Sequence, residues 1–461
     1  MTYKSLAFLL CLFATSLQAK DCKTCCPPTR ICHVPYKIEK SGKYCVNKDL
    51  VYTGHGRAIE VNADNVTIHF NNHNLTLTQP DATGIFAVGV SELLVDNDKI
   101  AFTAPLANVT GSLIHLEEVN KATFDNLFLE NAARAIFADR CSDIHLINSQ
   151  VRECTAANID VEATSGFVVD NCNFYNTALS ELDLAGLYFN ADSENCRITN
   201  SQMYNSDIFG RQVKNFLVDN VSSVLDDPAY IFSLCQVGSA TADLSTNAIV
   251  RNSLFTNDSA EDAFCLDIVH VDGMLVENTT AANTLGFWPA LYIEADEDDV
   301  IRNVKIDNCL LTGASRFNVG IINRDGEVVG IEICNSVLQG AYEADLHFYP
   351  GNTIAGVVVR NNTLQNGLGD GILASDGSLS GSSFLQNVIA NNCGRAMFIA
   401  ENCTNNLVAD NKVFNNGDEI KNDGSNNLLD DNTEFNNNLS CDFPDGFSAR
   451  QQPEVGLRYK K

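Results

Sequence analysis

The segment VVDNCNFYN, residues 168–176, places Asp170 and Asn171 between two short apolar runs. The same pattern returns in VKIDNCLL (304–311), IEICNSVL (331–338), VVVRNNTL (357–364) and LVADNKVF (407–414). Asparagine is disfavoured inside strands but is well tolerated where the backbone turns sharply. The segment therefore predicts a bend between two short strands, and its recurrence predicts that this bend is repeated along the chain.

The repeats are spaced by roughly 26 residues along nearly the whole chain, and no stretch keeps a helical period. In residues 291–314, LYIEA is followed by an acidic turn, the short run VKI, Asn308 and a second Leu-rich run. Three short strands per repeat bury their apolar side chains only when the repeats stack. The sequence therefore predicts an all-β fold, a single-stranded right-handed parallel β-helix of about 15 coils.

The repeated asparagines are predicted to form an internal ladder, because an Asn at a bend adopts left-handed backbone and its amide can bond to the next coil. Architecture is favoured over catalysis as their role. The predicted rungs are Asn148, Asn171, Asn200, Asn252, Asn278, Asn308, Asn335, Asn361 and Asn411.

The two ends of the chain depart from the repeat. Residues 1–19 read as a secretory signal peptide, with Lys4 before an apolar run that is too short to cross a bilayer. We predict a Cys-rich N-terminal cap over 20–45, the β-helix over 46–435, and a C-terminal cap or tail over 436–461. This organisation predicts a protein that is secreted or displayed on a cell or particle surface.

The chain has 17 cysteines, of which Cys11 falls in the predicted leader and leaves an even number. Export favours disulfides, and Cys141/Cys154 and Cys393/Cys403 are candidate pairs. For the other scattered cysteines, the sequence is compatible with disulfide pairing and with buried free thiols. A zinc site at CKTCC (22–26) is disfavoured because no second Cys or His pair follows at zinc spacing.

The formal net charge is −28, with a pI of about 4.5. Proteins that bind nucleic acid or anionic membranes need a basic face, so this balance argues against both partners. A polyanionic polysaccharide would also need bridging cations. Solubility is the plain interpretation of the charge.

Residues 41–77 resemble the entry coils of secreted right-handed β-helix proteins of the pectin-lyase-like superfamily, and the later coils resemble its strand–Asn repeats. The resemblance covers nearly all of the mature chain and implies the fold. It does not assign an activity, because the superfamily includes lyases, hydrolases, epimerases, tailspikes and adhesins. Gly54-His55-Gly56 matches one galacturonan-hydrolase motif, but it lies in the first coil and its companion motifs are missing.

The outer face of the first-strand sheet is the predicted location of any site, because side chains of stacked coils align there in rows. Carboxylates two coils apart lie about 10 Å apart, which approaches the spacing of an inverting glycosidase pair. An Asp–His neighbour also suits acid–base chemistry. If the protein is an enzyme, the candidate catalytic residues are Glu294, Asp296, Arg324, Asp345 and His347.

Ligand binding is the second use of the same face, because exposed aromatic rings suit the apolar faces of sugars. The candidate binding residues are Tyr188, Asn190, Trp288, Tyr292 and Tyr349.

We favour a secreted, non-catalytic β-helix that binds a polysaccharide, surface glycan or surface partner through this face. The alternative is a polysaccharide lyase or glycoside hydrolase acting in a groove on the same face. No cofactor is predicted, although a Ca²⁺ site at EADEDD (294–299) is an alternative to a plain acidic turn. The oligomeric state stays open, with a trimer among the alternatives.

Overall fold

The computed structural model describes residues 29–439 except 104, 106–107, 177–185, 227–232, 240–242, 260–262, 285–287, 314–315, 350 and 376–377. The predicted leader, the CKTCC segment and nearly all of the predicted C-terminal cap lie outside the described residues. The described chain is an all-β parallel β-helix, so the predicted fold class is confirmed.

Each coil contributes one strand to each of three parallel sheets, which the chain visits in the order B, C, A. Sheet A is the first-strand sheet of the sequence repeat. Three long strands continue around corners and belong to more than one sheet: Ser91–Phe102, Asn120–Asp139 and Gln150–Glu162.

The remaining strands of sheet A are Tyr36–Ile38, Arg57–Val61, Thr83–Val88, Ser112–Glu117, Leu187–Phe189, Ile208–Gly210, Ser233–Val237, Phe264–Val269, Leu291–Ala295, Phe317–Asn323, Ala344–Phe348, Asp370–Ala374, Arg395–Ile399 and Asp418–Asn422. The remaining strands of sheet B are Thr29–Ile31, Gly42–Val46, Val66–His69, Ser142–Ile147, Ser165–Asp170, Arg197–Thr199, Leu217–Asp219, Ser245–Arg251, Val271–Glu277, Val300–Asp307, Glu327–Cys334, Ile354–Ala355, Val358–Arg360, Leu379–Ser380, Ser383–Leu385, Leu407–Ala409 and Leu428–Asp430. The remaining strands of sheet C are Leu50–Tyr52, Asn74–Leu77, Asn173–Tyr175, Gln202–Tyr204, Ser222–Leu225, Leu254–Asn257, Thr280–Asn283, Leu310–Gly313, Val337–Gln339, Thr363–Gln365, Val388–Ala390, Lys412–Phe414 and Thr433–Phe435.

Each strand pairs in parallel with the equivalent strands of the coils before and after it. In sheet A, Tyr292 is opposite Asp267 on one side and Gly320 on the other. Alternate side chains point into the interior, where residues such as Leu291, Ile293 and Ile321 are fully buried. One continuous apolar core therefore runs along the axis, and the other side chains of each strand form rows on the outside.

The asparagine ladder has two forms, and the structure separates them. Eight of the predicted rungs, all but Asn411, have left-handed backbone with φ between 50° and 56° at the corner between sheets B and C. Their side chains reach outward, and Asn171 donates to Asn148 at 2.8 Å. The residue that follows each of these asparagines points into the interior instead, because a step of one residue along the chain moves a side chain to the other face.

An internal Asn ladder is present in the last coils. Asn362, Asn387, Asn411 and Asn432 follow one another inside the corner, with Asn387 Nδ2 donating to Asn411 Oδ1 at 3.0 Å. Asn411 is fully buried and is the one predicted rung on this inner ladder. Earlier coils fill the inner position with smaller side chains such as Ser201 and Cys309.

The two predicted disulfide pairs are wrong. Cys141, Cys154 and Cys403 are free thiols, and Cys393 is disulfide-bonded but not to Cys403. Cys141, Cys154 and Cys403 are each buried in the interior of the β-helix, where they pack against neighbouring coils. Burial raises the pKa of Cys154 to about 12, so that thiol is unreactive.

No helix among the described residues has the length and apolar character of a membrane span.

Candidate functional site

Aromatic side chains form a row on the outer face of sheet A. The strand register places Phe86, His115, Phe137, Asp160, Tyr188 and Phe209 side by side on six consecutive coils. The His115 ring centroid lies 5.1 Å from that of Phe86 and 4.9 Å from that of Phe137. We call these six residues the outer aromatic row.

Arginines flank the row. The Arg57 guanidinium lies 3.3 Å from the centroid of the Phe86 ring, and that of Arg211 lies 4.3 Å from the Phe209 ring. Both are in the range of cation–π attraction. Phe86 and Phe209 are 4% and 8% exposed, so the two end rings are covered, whereas His115, Phe137 and Tyr188 are half-buried. The six residues span roughly 24 Å along the axis at the usual spacing between strands.

A cleft of about 280 Å³ opens within the outer aromatic row, beside Asp160 and Tyr188. Its walls are formed by Arg134, Asp160, Tyr188, Asn190 and Arg211 together with two alanines. Two predicted binding residues, Tyr188 and Asn190, therefore line the same cavity. The residues come from four successive coils, and stacking alone brings them together.

Asp160 lines the cleft, and both its carboxylate oxygens accept hydrogen bonds. Arg134 Nε donates to Oδ2 at 2.9 Å, and Asn190 Nδ2 donates to Oδ1 at 2.9 Å. Asn190 keeps its carbonyl oxygen for another donor, and Arg134 keeps its terminal nitrogens. Arg211 is exposed and forms no ion pair with any described residue. The cleft therefore presents donors, an acceptor and an aromatic wall to one small volume.

A second aromatic cluster lies further along the outside of sheet A. Phe264 and Tyr292 stack with centroids 4.6 Å apart and planes 3° apart, and Ile322, Trp288 and Tyr349 pack against them. Tyr292 is 2% exposed, whereas Trp288 and Tyr349 are half-buried. Three predicted binding residues therefore come together here, but two of the four rings, those of Phe264 and Tyr292, are closed off from solvent.

The predicted catalytic residues near this cluster form an ion-pair network. Arg324 Nη1 contacts the carboxylates of both Glu294 and Asp296, the latter at 2.9 Å. Glu294 is only 2% exposed. The half-buried Arg324 guanidinium offsets the desolvation of the Glu294 carboxylate, which itself has almost no access to solvent.

Asp345 and His347 lie on one strand but do not bond to each other. Asp345 accepts from Asn318 Nδ2 at 2.8 Å, and His347 Nε2 bonds to Ser375 Oγ at 2.9 Å. Burial, with the Arg316 charge adding to it, lowers the pKa of His347 to about 3. Burial raises the pKa of Asp345 well above its usual range. The imidazole is therefore neutral at physiological pH, and it stacks between Phe317 and Tyr349.

Asp267 is a buried carboxylate that sequence reasoning missed. It lies opposite Tyr292, one coil before Glu294, and is 2% exposed. Burial and then the charge of Glu294 raise its pKa well above the usual value for aspartate. Its strand, Phe264–Val269, is buried at every position, so the alternation that would mark Asp267 as outward-facing is weak in the sequence.

The acidic turn 294–299 does not gather its oxygens around one point. Glu294 and Asp296 bind Arg324, while Asp299 lies 3.1 Å from His270 Nδ1 and also accepts from the Asp296 amide. Among the described residues, no group of three or more acidic, His or Cys side chains is arranged to hold a metal ion.

Arg134 and Arg211 were also missed as parts of the cleft. Arg134 lies within the 20-residue strand Asn120–Asp139, where the chain turns a corner and simple alternation fails. Arg211 follows a three-residue strand, Ile208–Gly210. Each arginine lies next to the residues that form a strand of sheet A. That position is the feature of the sequence from which a role beside the outer face could have been predicted.

Comparisons with known proteins agree with the fold. Residues 50–216 match the protein family described as right handed beta helix region. No curated protein sequence matches the chain. The predicted right-handed parallel β-helix is thus confirmed.

Solved structures with the same architecture include the A-module of the mannuronan C-5 epimerase AlgE4 from Azotobacter vinelandii, at 11% identity and a TM-score of 0.40 over 81% of this chain and 89% of that one. A tailspike mutant of E. coli bacteriophage HK620, in complex with a pentasaccharide, is 11% identical, with a TM-score of 0.47 over 84% of this chain and 74% of the tailspike chain. PfbA, a surface adhesin of Streptococcus pneumoniae, is 12% identical, with a TM-score of 0.37 over 78% of this chain and 83% of the adhesin chain. Likeness at this level says nothing about a ligand.

Proposed function

We propose that this right-handed parallel β-helix protein is a glycan-binding protein that holds a saccharide chain against the outer face of sheet A. The observation that carries the proposal is the cleft around Asp160, which continues directly into the outer aromatic row. Sugar recognition needs flat apolar surface for ring faces and fixed hydrogen-bonding groups for hydroxyls. Both are present on neighbouring coils.

The cleft would fix one sugar unit by its hydroxyl groups. Asp160 is held rigidly by Arg134 and Asn190, so the remaining donors of Arg134 and the free carbonyl oxygen of Asn190 point from fixed positions. A preorganised polar group loses little entropy when a ligand binds. Tyr188 supplies the aromatic wall, and Arg211 adds a cationic side chain from the next coil.

The outer aromatic row would bind the rest of the chain. Its rings are in contact from Phe86 to Phe137 and from Tyr188 to Phe209, with Asp160 between the two groups. An extended saccharide lying along the axis would meet the half-buried rings of His115, Phe137 and Tyr188 in turn. We therefore expect affinity to grow with the length of the oligosaccharide.

Binding is favoured over turnover because of where the candidate catalytic residues lie. Glu294, Asp345 and His347 are each 5% exposed or less, and Asp296 is paired with Arg324. A general acid or base must reach the substrate within hydrogen-bond distance. The lyase or hydrolase alternative therefore predicts that these groups become accessible, and nothing in their packing favours that.

The proposal is tested on a glycan array, followed by titration calorimetry with the strongest saccharide. Tyr188→Ala should weaken binding at least about tenfold, which corresponds to ~1.4 kcal/mol. Asp160→Asn should weaken it similarly, because the Arg134 and Asn190 contacts are rearranged. Tyr175→Ala is the matched control, since Tyr175 is an exposed ring on sheet C.

Equal effects of the Tyr188 and Tyr175 substitutions would refute the sheet A assignment. Depolymerisation of an array polysaccharide that disappears in Glu294→Gln would instead favour the enzyme alternative. A secreted or surface location is part of the proposal and is checked by fractionating cells that express the full chain.

A further inference from the structure

Cys393 differs from the other cysteines that the structure describes. It is disulfide-bonded and half-buried, whereas the eleven others are free thiols, ten of them buried and the eleventh, Cys32, exposed. The partner of Cys393 therefore lies outside the described residues. The sequence has five cysteines there: Cys11, Cys22, Cys25, Cys26 and Cys441.

Distance argues against the N-terminal candidates. Fourteen strand-to-strand steps in sheet A separate the first coil from the coil that contains Cys393, and at the usual spacing they measure roughly 67 Å. The three cysteines of CKTCC (22–26) are at most seven residues before Thr29, which is in the first coil, and seven residues reach no more than about 25 Å. Cys11 belongs to the predicted leader peptide and is absent from a processed chain.

Cys441 lies within reach. Cys393 is at the corner between sheets C and A, and Gly417 and Leu439 follow at this corner in the next two coils. The Gly417 amide donates to the carbonyl oxygen of the residue before Cys393, and the Leu439 amide donates to that of the residue before Gly417, each at 2.8 Å. Leu439 is therefore roughly 10 Å from Cys393. Two further residues extend about 7 Å, and a disulfide joins Cα atoms about 6 Å apart, so the two thiols can meet.

We infer that Cys393 and Cys441 form a disulfide, and that this bond anchors residues 440–461 across the end of the β-helix as its cap. Forming the bond joins the two Sγ atoms. The two thiol protons and two electrons pass to an external disulfide such as oxidised glutathione, which is reduced to two thiols. The closed loop from 393 to 441 contains the last described coil, whose strand edges would otherwise be open to pairing with another chain.

The described residues leave this end of the core uncovered. Leu429 and Val408 are opposite one another at inward positions of sheet B, yet Leu429 is 41% exposed and Val408 is fully buried. Glu434 takes the equivalent inward position of sheet C, opposite the fully buried Val413. A core that ends in exposed apolar side chains needs a covering segment.

The composition of residues 440–461 suits this surface. The last described coil, 418–439, has six carboxylates and one lysine, whereas the segment 440–461 has a formal charge of +1 on a chain of −28. Its basic and apolar residues are Arg450, Arg458, Lys460 and Lys461, and Phe443, Phe447, Val455 and Leu457. The segment starts directly after Leu439, at the uncovered end. Charge and position therefore favour it over a second copy of the chain, whose own end is equally acidic.

The disulfide is tested by peptide mapping of the full chain without reduction, after export to a bacterial periplasm and with free thiols blocked before digestion. We expect a peptide pair that links Cys393 to Cys441. A pair that links Cys393 to an N-terminal cysteine, or a Cys393 thiol that reacts with the blocking reagent, would overturn the inference.

The cap is tested by the rate of trypsin cleavage after Arg450 in the folded full chain. Cleavage should be at least tenfold faster in Cys441→Ser than in the wild type, and unchanged in Cys32→Ser, the matched control at an exposed free thiol. Asp430→Lys should also speed cleavage, because it replaces an exposed carboxylate of the last coil, whereas Glu297→Lys on an earlier coil should not.

Equally fast cleavage in the wild type and in Cys441→Ser would overturn the cap. So would a wild-type dimer in sedimentation velocity that Asp430→Lys dissociates, because a second copy would then cover the end. Circular dichroism identifies any variant that does not fold, and the mapping and the sedimentation of the wild type do not depend on the variants.

Discussion

The neighbouring residues Asn361 and Asn362 offer a direct comparison between the outer and inner sides of the B–C corner. Asn362 is 1% exposed, and its side chain makes three hydrogen bonds: Nδ2 donates to Ile333 O at 2.8 Å and to Asn387 Oδ1 at 3.2 Å, while Oδ1 accepts from the Ser336 amide at 2.9 Å. Asn361 is exposed and has a φ of 56°. Its main contribution to stability is that asparagine tolerates left-handed backbone.

Asn362→Ala removes three buried hydrogen bonds and leaves the Ser336 amide without its acceptor. At about 1 kcal/mol for each bond, the free energy of unfolding should fall by ~3 kcal/mol. Asn361→Ala should cost only about 1 kcal/mol, because alanine is strained at positive φ but no buried group loses a partner. The same substitution at adjacent positions should therefore differ about threefold in effect.

The assay is urea unfolding of protein produced in a bacterial host, with thermal unfolding as a second measure. A chain of this length should lose about 3 °C in Tm for Asn362→Ala and about 1 °C for Asn361→Ala. Hydrogen exchange should also speed up at the Ser336 amide in Asn362→Ala alone. Equal losses in the two variants, or a larger loss for Asn361→Ala, would refute the assignment of the inner ladder as the stabilising one.

Three further predictions follow from buried titratable groups. Burial raises the pKa of Asp207 from about 4 to about 7, so the protein loses stability progressively as the pH rises from about 4 to about 7 and loses no more above that. Asp207→Asn should therefore stabilise the protein at pH 8 by up to about 4 kcal/mol and leave it unchanged at pH 4, as measured by urea unfolding. The His347 imidazole should show no NMR titration between pH 5 and 8, because its pKa is lowered to about 3; titration with a midpoint near 6.5 would contradict its burial. Burial raises the pKa of Cys172 to about 12, so this thiol should react with a thiol reagent only after denaturation, and reaction in the native protein would show that the corner opens.

The aromatic row and the cleft show why site prediction from sequence was partial. Tyr188 and Asn190 were predicted because alternation along one strand marks them as outward-facing, and both line the cleft. Arg134 and Arg211 complete the same cleft from other coils, and their distance in sequence reflects loop lengths that vary between coils. No local pattern identifies which residues of different coils share a cavity.

The second cluster shows a different limit. Alternation correctly places Tyr292 on the outside of the coil, but the ring is buried because Phe264, Ile322 and neighbouring rings pack over it. Outward-facing and solvent-accessible are separate properties. The first is set by strand geometry, and the second depends on the sizes of side chains from adjacent coils.

The amino-acid sequence by itself determined the class of fold and the place of the bend at eight of the nine predicted rungs. It could do so because a parallel β-helix repeats one local pattern, and each repeat reports its own strands and turn. The segment VVDNCNFYN places a bend at Asn171, and the structure has left-handed backbone there with φ of 53°. Only the tertiary structure decided which side of that bend is buried, since a shift of one residue exchanges the two faces. It also decided which outward carboxylates are closed off and which coils share a cleft, because both depend on contacts between residues far apart in the chain.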